Sequence, residues 1–154
     1  MKRACSFLLV CLALASASLM AQDKPSFVGT WKLPADVQPE PFTPPQMSVA
    51  LDGNVMTVTG TNQMGEFKTI YNMDGTEAKS PIQFNGDTIE RTTKTAWDGS
   101  KLVMTVVANF GGQSFETKSV WSIAADGTLL IEMTRPDFQG GGGPITTKTT
   151  YKKG

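Results

Sequence analysis

The sequence contains no histidine, and its two cysteines, Cys5 and Cys11, both lie close to the N-terminus. Without histidine the chain lacks the commonest general base and the commonest zinc ligand. After Cys11 there is no thiol, and therefore no possible disulfide, thiolate metal site or cysteine nucleophile. We therefore expect no catalytic residue, no metal site and no cofactor.

The N-terminus has the pattern of a secretory signal peptide. Lys2 and Arg3 precede an uncharged apolar run, Phe7 to Met20, which is too short to span a bilayer comfortably. Small residues allow cleavage after Ala17 or Ala21. A buried N-terminal helix is the alternative. The pattern predicts a signal peptide over 1–21, no membrane span after cleavage, and a periplasmic or secreted location.

The charge balance argues against nucleic acid as a partner. The full chain has a formal net charge of 0, so removal of Lys2 and Arg3 leaves a mildly acidic protein. No block of basic residues is present to bind a phosphate backbone. The remaining residues, 22–154, are enough for one domain with its own core.

These residues read almost entirely as β-strands, because threonine and valine are abundant and apolar residues alternate with polar ones. A proline, Pro81, makes the fifth strand the least certain. The pattern predicts ten strands: Phe27–Leu33, Met47–Leu51, Val55–Thr61, Glu66–Met73, Thr76–Phe84, Thr88–Trp97, Leu102–Phe110, Ser114–Ile123, Thr128–Arg135 and Ile145–Lys152.

The turn residues favour a barrel over a sandwich. Asp-Gly pairs, which suit tight hairpins, occur at Asp52, Asp74, Asp98 and Asp126. In an up-and-down meander all four would fall at one rim, and the longer loops would gather at the other. We predict an antiparallel up-and-down β-barrel of about 8–10 strands, with its mouth at the loop rim.

Alternation along the strands predicts which side chains face inward. The only two arginines after the signal peptide, Arg91 and Arg135, both fall on the inner face, where the fourth, sixth, eighth, ninth and tenth predicted strands carry no carboxylate. A buried guanidinium needs water, backbone carbonyls or an anion. One hypothesis is that these arginines hold an acidic head group. The alternatives are that Arg135 reaches solvent at the rim and that a bulge turns Arg91 outward.

The same face mixes aromatic residues with many threonines. A dry core would favour aliphatic residues, because each buried hydroxyl needs a partner. Threonines fit a lumen that holds water or an amphipathic ligand, or they pair across strands. The aromatic residues are core or pocket wall. The candidate ligand-binding residues are Arg91, Arg135, Tyr151, Tyr71, Trp97, Trp31, Thr93 and Thr149.

The opening Phe27-Val28-Gly29-Thr30-Trp31-Lys32-Leu33 resembles the first strand of the fatty-acid-binding proteins. Together with the strand-Asp-Gly-strand units and the closing Tyr151-Lys152-Lys153, it is similar to a group of bacterial exported lipocalin-like proteins of unknown function. The resemblance covers nearly the whole mature chain and implies a calycin-type barrel.

The chain departs from the fatty-acid-binding proteins at two places. The proline-rich segment 34–46 cannot form their helical lid. Their C-terminal Arg-x-Tyr, which binds the fatty-acid carboxylate, corresponds here to Thr149-Thr150-Tyr151. The resemblance therefore carries over only Tyr151 as a candidate ligand.

The sequence leaves two functions open. The first is an extracytoplasmic binding protein for a small hydrophobic or amphipathic ligand, with an anionic group as one option. The alternative is a structural or protein-interaction module of the cell envelope that has a filled barrel, no small-molecule ligand, and a recognition surface on the loop rim or on an exposed edge. We expect no enzyme activity, because no two carboxylates are placed together for acid–base chemistry. The oligomeric state is open.

Overall fold

The computed structural model describes residues 23–138 and 140–154. The predicted signal peptide and both cysteines lie outside these residues. The described part contains no helix that could cross a membrane. It is all β, with eleven strands: β1 Gly29–Lys32, β2 Gln46–Asp52, β3 Val55–Asn62, β4 Gly65–Asn72, β5 Ala78–Lys79, β6 Ile82–Phe84, β7 Asp87–Asp98, β8 Lys101–Phe110, β9 Gln113–Ile123, β10 Leu129–Arg135 and β11 Ile145–Lys153.

The strands form a nearly closed antiparallel barrel, which confirms the predicted fold class. The sheet runs β4-β3-β2-β1-β11-β10-β9-β8-β7, and β5 and β6 both pair with β7. The predicted fifth strand is split into β5 and β6 at Ser80-Pro81, which accounts for eleven strands instead of ten. Proline cannot donate a backbone hydrogen bond, so the ladder ends there.

The strand directions bring all four Asp-Gly turns to one end of the barrel, as the parity of the turns predicted. We call this rim the hairpin end and the opposite rim the loop end. The Met73 amide donates to the Asn54 carbonyl at 2.8 Å, which ties two neighbouring hairpins together. In the turns at Asp74 and Asp126, the carboxylate accepts bonds from the amide and hydroxyl of the threonine two residues on. These bonds lower the pKa of both carboxyls.

The barrel half next to the hairpin end is filled. Leu102, Met104 and Leu129 have no exposed surface. Phe27, just before β1, turns inward, stacks on Trp97 at 6.1 Å and meets Trp121 edge-on at 5.8 Å between ring centroids. Burial of these apolar side chains stabilises the fold.

The barrel closes between β4 and β7 through side chains. Among the described residues no backbone ladder joins these two strands. Instead the Thr93 hydroxyl of β7 donates to the Ile70 carbonyl of β4, and the Thr95 hydroxyl donates to the Asn72 carbonyl at 2.6 Å. Because the donors and the acceptors both recur every second residue, these bonds reproduce the spacing of a strand pair. We call this junction the β4–β7 seam.

Candidate functional site

The half of the barrel next to the loop end encloses a cavity of about 890 Å³. This volume lies within the range that holds a drug-sized molecule. Core side chains such as Met47, Trp121 and Tyr151 form its floor, and the loops of the loop end frame its mouth. The cavity therefore lies where the sequence predicted the mouth of the barrel.

The cavity wall is mainly aliphatic and aromatic, with polar side chains such as Gln83, Gln113 and Ser119 distributed among the apolar ones. The threonines of these strands include both kinds that the sequence allowed, those that face the lumen and those that pair across strands. Thr117, Thr147 and Thr149 line the lumen. Thr134 and Thr146 instead pair with each other on the outside, with their hydroxyl oxygens 2.9 Å apart. The apolar lining includes Met47, Val58, Phe67, Ile82, Phe84, Ile89, Val106, Ala108, Phe115, Trp121, Ile131 and Met133.

The predicted site residues separate into two groups, one at the cavity and one away from it. Five of the eight are brought together around the lumen, although they come from four different strands. The residues that border the cavity are Arg91, Arg135, Tyr71, Tyr151 and Thr149.

The other three predicted residues lie outside the cavity lining. Trp31 is buried in the core, where its indole donates to the Phe27 carbonyl at 2.8 Å, and Trp97 packs against the same core. Both residues belong to the filled half. The Thr93 side chain is fully buried, and its hydroxyl is used in the β4–β7 seam. Any part that these three play in binding is indirect.

Arg91 lies at the seam with its guanidinium bordering the lumen. Its Nε donates to the Ser80 carbonyl at 2.9 Å, and its Nη2 lies 3.3 Å from both the Lys68 carbonyl and the Thr69 hydroxyl. Burial lowers the pKa of Arg91, and the interaction with Tyr71 opposes that shift. Among the described residues no carboxylate lies within 4 Å of the guanidinium. The one ion pair found among them joins Lys148 to Glu132.

Tyr71 lies beside Arg91 on the inner face of β4. Its side chain is only 7 % exposed and borders the cavity, and its hydroxyl makes no hydrogen bond to another described residue. Burial raises the pKa of Tyr71 to about 12, although the positive charge of Arg91 acts to lower it. At neutral pH the hydroxyl therefore keeps its proton and can donate a hydrogen bond into the cavity.

The Tyr151 hydroxyl, unlike that of Tyr71, is hydrogen-bonded within the protein. Tyr151 is the residue that the resemblance to the fatty-acid-binding proteins singled out. The hydroxyl donates to the Pro44 carbonyl at 2.9 Å and so fixes the loop between β1 and β2 against the barrel. Burial raises the pKa of Tyr151 as well. Because its proton is already committed to the protein, Tyr151 offers a ring to the cavity rather than a free donor.

Arg135 lies at the mouth among phenylalanines that sequence analysis did not select. Its guanidinium lies 4.9 Å from the Phe42 ring centroid, and its Nη1 donates weakly to the Pro136 carbonyl at 3.4 Å. Phe138 contacts both Phe42 and Phe115. The signal for these residues was a phenylalanine within each long loop, where exposed aromatic residues are unusual.

A carboxylate also borders the mouth of the cavity. Glu66 lies at the start of β4 and is exposed at the rim. In the described part of the chain, no cluster of three or more acidic, histidine or cysteine side chains could hold a metal ion.

Comparison with known proteins adds no relative. No protein-family model matches the chain. No curated protein matches it significantly. The candidate function must therefore come from the cavity itself.

Proposed function

We propose that the protein is an exported, non-catalytic binding protein that carries a small hydrophobic or amphipathic molecule inside its barrel. The observation that carries the proposal is the cavity of about 890 Å³, whose wall is mainly apolar with polar side chains distributed along it. Cavities of this size and chemistry are the usual form of a small-molecule site. The proposal includes a periplasmic or secreted location and kinship with the lipocalin-like barrels.

The loop end supports ligand entry from that side. Phe42, Phe110 and Phe138 are exposed by 38 %, 50 % and 54 %, and Met64 by 52 %. Apolar side chains at the mouth favour an apolar ligand over a polar one, because removal of the ligand's apolar surface from water is favourable as it enters. A ligand that enters here would contact apolar side chains from the mouth down to Trp121 at the cavity floor.

A test uses the uncharged fluorophore Nile red. We expect saturable binding with energy transfer from tryptophan, because Trp121 lies at the cavity floor. Ala108, on the cavity wall in β8, should tolerate Ala108→Phe as a change that fills the lumen. This variant should weaken Nile red binding at least about tenfold, since the ring would occupy the space of the ligand.

The matched control is Ala50→Phe on the exposed face of β2. It adds the same ring outside the barrel and should leave the affinity unchanged. Equal affinities for the wild-type protein and Ala108→Phe would contradict a site in the lumen. Binding that never saturates would favour the alternative, an interaction module that uses the phenylalanines of the loop end.

A further inference from the structure

Arg91 and Tyr71 border the cavity from β7 and β4, the two strands of the β4–β7 seam, and neither has an acidic partner among the described residues. We infer that Arg91 and Tyr71 form a head-group subsite for an amphipathic monocarboxylate, whose apolar part fills the rest of the lumen. The inference rests on the proposed function, since it names the chemical class of the ligand and the place where its polar end binds.

Arg91 is held in position by the protein without being fully used. Its Nε and Nη2 bond to Ser80, Lys68 and Thr69, while Nη1 has no hydrogen bond to any described residue. Because β4, β7 and the Ser80 segment hold the guanidinium plane, little side-chain freedom remains to be lost on binding. A guanidinium with a free edge suits the planar geometry of a carboxylate.

Tyr71 supplies the second donor from the inner face of the neighbouring strand β4. Its hydroxyl remains protonated at neutral pH, so it can donate to an anion but does not repel one. A hydroxyl in an apolar cavity costs free energy unless a ligand or water satisfies it. The pair therefore offers one positive charge and one neutral donor.

This charge inventory favours a single negative charge on the ligand. A phosphate monoester would bring almost two charges into an apolar cavity that provides one cation at this wall. The other arginine of the described chain, Arg135, lies at the mouth over Phe42. A carboxylate matches Arg91 in charge, and Tyr71 can bond to the oxygen that Arg91 leaves free.

The experiment compares ligands that share a chain and differ in the head group. Dodecanoate, dodecanol and dodecyl phosphate each displace Nile red from the wild-type protein, and their affinities are measured at neutral pH. We expect dodecanoate to bind about tenfold more tightly than dodecanol, the usual gain from a hydrogen bond to a charged group, and more tightly than dodecyl phosphate.

Tyr71→Phe is the main variant, because the hydroxyl it removes has no partner among the described residues and the fold should be unaffected. It should reduce the preference for dodecanoate over dodecanol several-fold, and Arg91→Met should abolish that preference. Tyr151→Phe is the matched control. It removes a hydroxyl that binds Pro44, so it should change both affinities by the same factor and leave their ratio intact.

The outcomes separate the two proposals. Equal binding of dodecanoate and dodecanol by the wild-type protein would overturn the head-group subsite and leave the carrier function standing. Tighter binding of dodecyl phosphate than of dodecanoate would overturn the assignment of a monocarboxylate. An unchanged preference in Tyr71→Phe would overturn the role of Tyr71. Failure of Nile red itself to bind would overturn both the carrier function and the subsite.

Discussion

The two halves of the barrel have the same strands but different interiors. Near the hairpin end the inward positions carry large residues such as Leu102, Met104 and Leu129, and their side chains fill the space. Near the loop end the inward positions mix large apolar residues, such as Phe115, with small or polar ones, such as Ala108 and Thr117, and a cavity remains between them. The comparison shows that one pattern of alternating strands can surround both a filled core and a cavity.

The largest expected effect comes from truncating one methionine in each half. Met104→Ala in the filled half should lower the free energy of unfolding by about 2–5 kcal/mol, since it leaves a void among close-packed neighbours. Met133→Ala on the cavity wall should cost about 1 kcal/mol, because that side chain already faces open space. Urea unfolding of the two variants measures the difference. Equal losses would mean that the cavity is collapsed in solution.

The second effect concerns alkaline pH. Burial raises the pKa of Tyr71 to about 12 and raises that of Tyr151 too, whereas tyrosine in an unfolded chain ionises near pH 10. The raised pKa means that this stability is fully present below about pH 10 and is lost as the pH climbs through the folded values. For Tyr71 the loss is on the order of 2–3 kcal/mol.

The measurement is the free energy of unfolding against pH, with tyrosinate absorbance recorded on the native protein. Tyr71→Phe should remove one of the two contributions and flatten the fall in stability above pH 10. The chain contains only these two tyrosines, so the double variant should abolish the tyrosinate signal. Ionisation of both tyrosines near pH 10 in the native state would contradict the burial described above.

A third effect compares hydroxyls at the seam and in the cavity. Thr93→Val leaves the Ile70 carbonyl without its bond and should cost about 1–3 kcal/mol. Thr117→Val on the cavity wall loses no bond to a described residue and should be close to neutral. Thermal unfolding of the pair tests whether the seam bonds stabilise the barrel. A neutral Thr93→Val would show that they do not.

The smallest effect compares glycines at the two rims, and the two substitutions should have opposite signs. Gly127, in a tight turn at the hairpin end, has φ +82°, a conformation unfavourable for alanine. Gly127→Ala should destabilise by about 1 kcal/mol. Gly143, at the loop end, has no such φ and has open space where a methyl group would lie, so Gly143→Ala should stabilise slightly by restricting the unfolded chain. Differential scanning calorimetry resolves the two shifts.

Local signals in the sequence were sufficient to predict the antiparallel barrel. The period-2 alternation and the Asp-Gly turns determine strand directions, so the common rim of the hairpins and the inward position of Arg91 were predictable. The break at Pro81 was also predictable, because the missing amide is a local property. The ligand class and the cellular location stay predictions.

Long-range pairing accounts for what sequence analysis missed. Tyr151 and Pro44 are 107 residues apart, and nothing local indicates that this hydroxyl binds a loop carbonyl. Alternation likewise places Trp31 and Trp97 inside the barrel but does not give their position along the barrel axis. It therefore cannot distinguish a residue of the filled core from one on the cavity wall. The use of Thr93 in the seam depends on which strands close the barrel, a property of the whole sheet.

The β4–β7 seam gives the cylinder one side that differs mechanically from all others. Elsewhere, pulling two neighbouring strands apart breaks a continuous run of amide-to-carbonyl bonds. Here the same separation breaks a few hydroxyl and guanidinium bonds, and every strand keeps its remaining partner. The seam is therefore the line along which the barrel wall should open with the smallest loss of backbone hydrogen bonds.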